Sequence, residues 1–154
     1  MENTTNMINL LLTLILSVFH GTCDVDSSSV PPPNFLPKCP VGYFIDANCL
    51  LECEQAYQES VAEAQTKACY ARRRAERIHQ IHVGQAATQW IGCMANAHTS
   101  AQMQACENDY DWTVFQADYE YKNSLREIQT AEDTAIAEAL TVFLYCALDC
   151  CVPR

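Results

Sequence analysis

The chain has 154 residues, 49% of them apolar and 18% charged, which suits one domain with a modest core and excludes wholesale disorder. Its formal charge of -10, with only nine Lys and Arg, excludes general nucleic-acid binding and adhesion to anionic membranes, since both need cations to meet phosphate. Four glycines against recurring Ala, Gln and Glu point to helix and away from a turn-rich β fold.

Met7–Phe19 reads MINLLLTLILSVF, an apolar run too short for a bilayer, which takes about 20 residues, but suited to a signal-peptide core. Gly21 and Cys23 supply small residues at −3 and −1, so residues 1–23 are expected to form a leader cut before Asp24. No Lys or Arg precedes the run, a departure from the usual leader. Lipid attachment at Cys23 is disfavoured, because His20-Gly21-Thr22 lacks the aliphatic residue that bacterial lipidation sites carry. The mature chain then has no membrane span and is expected to be secreted or held in the periplasm or cell envelope. Ten cysteines agree with such an oxidising space.

Residues 24–45 are rich in Ser and Pro and read as a linker followed by an irregular lead-in. Residues 46–154 form the main domain. Asp46 is placed to cap a helix opening at Ala47, and no proline interrupts the chain from there to Pro153. A turn signal falls at Asn96–Ser100, where Thr99 or Ser100 can cap a second helix. Gly84 and Gly92 are points where the first helix can bend.

The cysteines support the same division. The pairs Cys49–Cys150, Cys53–Cys146 and Cys93–Cys106 are all centred on one point of the chain, between Thr99 and Ser100. Positions facing one another across an antiparallel helical hairpin have this property. Cys49/Cys53 and Cys146/Cys150 are C-x-x-x-C units, whose members share one helix face. Disulfide rungs bring Cα atoms to about 5.5–6 Å, closer than ordinary helix packing, so small residues are needed between them. Ala64, Ala68, Ala71 and Ala75 supply them on the first helix, and Ala117, Ala131, Ala135, Ala139 and Val142 on the second. The expected fold is an all-α, disulfide-braced antiparallel hairpin of two long helices turning near residues 98–100, able to assemble into a four-helix bundle.

Cys39 lies near the open end and can join Cys151. With Cys23 removed, Cys69 has no partner: its mirror position is Thr130 and it points off the seam, so it is expected as an interchain disulfide or a free thiol.

Trp112, Phe115, Tyr119, Leu140, Leu144 and Leu148 lie away from the second helix's seam and form an expected interface. Arg72, Arg73, Arg74 and Arg77 cluster opposite Glu120 and Glu127, which suits cross-helix ion pairs. Glu76, His79 and His82 include a Glu-x-x-His motif of the kind found in di-iron bundles, with Glu120 opposite His79. They form the candidate metal set, although Glu76 and His79 do not share the seam, and no cofactor is expected. No catalytic nucleophile, phosphate loop or C-x-x-C redox motif occurs, so the chain is expected not to be an enzyme.

The twin C-x-x-x-C layout is similar to that of small plant defence hairpins and of the small chaperones of the mitochondrial intermembrane space, where paired motifs brace antiparallel helices. The resemblance rests on four cysteines, with a much longer separation between motifs here, and implies construction rather than function. The expected function is that of an exported structural or protein-interaction module that self-associates or binds another protein. The alternatives are a metal-binding or redox bundle, and a secreted toxin or inhibitor acting through a loop.

Overall fold

A computed structural model describes residues 22–153. A 3-10 turn at Ser27–Ser29 is followed by strand β1 (Tyr43–Ile45), helix α1 (Ala47–Asn96), helix α2 (Ser100–Asp149) and strand β2 (Cys151–Pro153). The two helices pack against each other over their length as an antiparallel hairpin. Each has 50 residues, or about 75 Å at 1.5 Å per residue. The expected leader falls largely on residues 1–21, outside the described part.

Side chains that satisfy free backbone N–H groups set the helix boundaries. The Asp46 carboxylate accepts from the N–H groups of Asn48 and Cys49, at 2.9 and 3.0 Å. At the turn, only Ala97, His98 and Thr99 separate the helices. Thr99 Oγ1 accepts from Gln102 N–H, and Gln102 Oε1 accepts in return from the N–H groups of Thr99 and His98. This reciprocal capping box starts α2 without a glycine in the turn. Helix α1 continues unbroken through Gly84 and Gly92.

At the open end β1 and β2 pair antiparallel, with Phe44 opposite Val152, and Asp46 N–H extends the ladder to the Cys150 carbonyl. This ribbon has no counterpart in the helical expectation. It forms because the segments entering α1 and leaving α2 lie side by side, and two extended segments at that distance pair their free backbone groups. Gly42, at φ 92°, turns the chain into β1.

Ala and Cys make up the buried residues apart from Val30, Val61 and Phe143. Phe143 is the largest fully buried side chain and packs against Tyr57, with ring centroids 5.8 Å apart. It fills the space beside Cys53, Ala147 and Cys150. Val142, expected in the seam, is instead 66% exposed. Both residues satisfy a step of three or four from their neighbours, and the larger one takes the gap between the rungs.

Five disulfides supplement this thin core. Cys49 is joined to Cys150, Cys53 to Cys146, Cys93 to Cys106, and Cys39 to Cys151, with Cα separations of 5.6–5.8 Å. The fifth bond corrects the sequence reading. Cys69 is neither free nor interchain: it is joined to Cys23, at a Cα separation of 5.6 Å. The cause is the segment expected as a linker, which lies along the hairpin. Val25 N–H donates to Thr66 Oγ1, Gln58 donates to the Val30 carbonyl, and Val30 is buried with Val61, Ala62 and Ala139. This docked arm carries Cys23 to the off-seam side of α1, where Cys69 points. A leader cut after Cys23 would separate that cysteine from its partner.

Candidate functional site

The residues expected as an interface lie on α2. Within one stretch of that helix, Ala117 faces α1 and is buried, whereas Trp112, Phe115 and Tyr119 are 58%, 59% and 61% exposed. Trp112 and Phe115, three residues apart, stack with ring centroids 5.7 Å apart. Near the open end Leu140 and Leu148 are exposed, and Leu144 is half-buried against the Phe143 cluster. The docked arm covers Ala139 and packs on Ile136, and leaves Leu140 and the aromatics open. Sequence reasoning missed a second apolar group at the open end, including Tyr43, Phe44, Leu51 and Tyr145. The unpredicted ribbon brings β1 there, so no helical periodicity could have indicated it.

The candidate metal residues are only partly brought together. A cleft of about 80 Å³ is lined by His79, His82, Glu120, Tyr121 and small neighbours. His79 Nε2 lies 2.6 Å from Asp118 Oδ1, and its ring stacks on Tyr121 at 4.8 Å. His82 Nδ1 is 3.9 Å from Glu120 Oε2. His79 and His82 straddle the seam, so each meets a different acid. Asp118 takes the place expected for Glu120 opposite His79. Glu76 stays outside, accepting a hydrogen bond from Gln80 on its own helix. Among the described residues, the one group of three such side chains with ligand atoms within 4.8 Å of each other is Cys49, Cys53 and Cys150, and all three are in disulfides.

Of the basic cluster, Arg72 pairs with Glu132 and donates to Gln129 at 2.8 Å. Its acid is therefore Glu132 rather than Glu127, because a side chain flanking the seam meets the acids on its own flank rather than the residue at its mirror position. Among the described residues, Arg73, Arg74 and Arg77 make no ion pair. No described helix is long and apolar enough to cross a membrane. Every cysteine is disulfide-bonded, the pattern that an oxidising compartment favours.

No protein-family model, curated protein or solved structure matches the chain.

Proposed function

We propose that the protein is an exported, non-enzymatic module that docks onto protein surfaces through the outer side of α2, either on another copy of itself or on a different protein. The observation that carries this reading is the exposure of Trp112, Phe115 and Tyr119 on a helix whose fold is already complete without them. Aromatic side chains bury about 150–250 Å² each when covered, so leaving three together in water forgoes a stabilisation that a partner recovers. Nothing inside the hairpin needs them, because the seam closes on Ala and Cys. The braced scaffold keeps the face in one shape, which limits the entropy lost on docking. The leader is removed upstream of Cys23, so that the Cys23–Cys69 bond survives export.

The test combines sedimentation of the oxidised protein with binding of an environment-sensitive apolar dye. Association, or dye binding lost on Trp112→Asp, supports the docking face. A monomer that binds no dye overturns it. The turn of three residues provides no extended loop for a toxin or inhibitor to present.

A further inference from the structure

Resting on the docking face just proposed, we infer that its occupant is a second copy of the chain, lying antiparallel along α2 with a two-fold axis beside Thr130. From Trp112 to Leu148, steps of three and four residues keep to one face of the helix, exposed at each of these members except the half-buried Leu144. The stripe passes from three aromatics, through Lys122, Arg126 and Asp133, to three leucines. The charged members are exposed, and none of them makes an ion pair among the described residues. Asp133 accepts one hydrogen bond, from Gln129, which leaves its second carboxylate oxygen open.

Turned end for end about this axis, the stripe complements itself. With the axis between Gln129 and Thr130, Phe115 meets Leu144 of the second copy, Tyr119 meets its Leu140, and Trp112 falls within one residue of its Leu148. Arg126 meets Asp133 of the second copy, and the symmetry repeats that pair on the other side of the axis. Lys122 falls beside Ala137 of the second copy, one residue from its exposed Glu138. A parallel pair in the same register sets Lys122 and Arg126 against their own copies, like charge on like. Antiparallel pairs centred within either apolar patch cover that patch and leave the other in water. The Thr130 register alone covers both patches and matches the charges.

The aromatics are on the side of α2 away from the buried Ala117, and the leucines flank the core, with Leu144 half-buried beside Phe143, so the second copy lies along the outer flank of α2 and α1 is outermost in each copy. The contact runs from Trp112 to Leu148, 36 rises of 1.5 Å or about 54 Å, by a helix width of about 10–12 Å, hence on the order of 600 Å² per copy. Two such faces total roughly 1,200 Å², at the lower end of stable interfaces. A reversible dimer is therefore expected.

The experiment is a charge reversal read by sedimentation equilibrium on the oxidised protein. Arg126→Asp and Asp133→Arg each place like charges at both symmetry-related junctions, and each is expected to raise the dimer Kd about tenfold or more. The double variant R126D/D133R restores one acid and one base at each junction and returns Kd to within a few-fold of the original. Both positions are exposed, and circular dichroism checks that each variant keeps its helices. Singles that dimerise like the parent, or a double variant that stays dissociated, overturn this register. A parent protein that is monomeric yet binds apolar dye at Trp112 overturns the second copy as occupant and leaves the docking face standing. A monomer without dye binding overturns both.

Discussion

Phe143 and Val142 are adjacent in the chain and similar in pattern, yet one is 1% exposed and the other 66%. Phe143→Ala is expected to cost about 3–5 kcal/mol in thermal or denaturant unfolding of the oxidised protein, because it empties the largest filled space in the core. Val142→Ala is expected to stay within about 0.5 kcal/mol. Asp26 has its own local role. It accepts the Ser28 N–H at 2.9 Å, and that backbone hydrogen bond, helped by the Ser28 side chain, holds its carboxyl below the ordinary carboxylate range. A depressed carboxyl contributes stability that is full above its unfolded pKa and lost as pH falls through its folded value. The Ser28 amide resonance is therefore expected to shift toward its unfolded position on acidification below the ordinary carboxylate range, and to be displaced at neutral pH in Asp26→Ala. At this scale, alternation of small residues showed which faces meet, but not which of two neighbouring apolar residues fills a gap. That choice depends on the volume left between the rungs, a tertiary quantity.

The two helices were the most legible elements. Asp46, Thr99 and the absence of proline between Ala47 and Cys151 mark their ends by backbone hydrogen-bond chemistry that is local in sequence. Thr99→Ala removes the acceptor of the capping box and is expected to cost about 1 kcal/mol, read as a lower unfolding midpoint. Gly84 and Gly92 sit within continuous helix, where an added Cβ meets nothing within 4 Å. Gly84→Ala is thus expected to stabilise by about 0.5–1 kcal/mol, and an unchanged or lowered midpoint would mean that the glycine serves a bend. The β1–β2 ribbon was not legible. Three-residue strands carry almost no periodic signal, and these pair only because the hairpin delivers their ends to one place.

For the whole molecule, a core built largely of Ala and Cys offers little apolar burial, so the cross-links must supply much of the stability that larger cores draw from Leu and Phe. Full reduction is expected to abolish most of the helical circular dichroism at 37 °C, whereas a protein braced mainly by packing would keep it. Replacing Cys23 and Cys69 together by Ser tests the arm separately. The helices should remain, and limited proteolysis should cut between residues 24 and 38, which the oxidised parent resists.

The sequence by itself determined the helical hairpin, its turn, and an apolar side of α2 that the hairpin seam does not use. Each follows from chemistry within a few residues, or from a symmetry of positions that any antiparallel pair must obey. Only the tertiary structure decided that the Ser/Pro-rich arm docks, that Cys23 belongs to the folded body as the partner of Cys69, and that His79 answers to Asp118 rather than Glu120. Those outcomes rest on which side of the seam each flanking side chain leaves and on a path that crosses the hairpin from outside the two-helix repeat. Neither leaves a periodic mark on the chain.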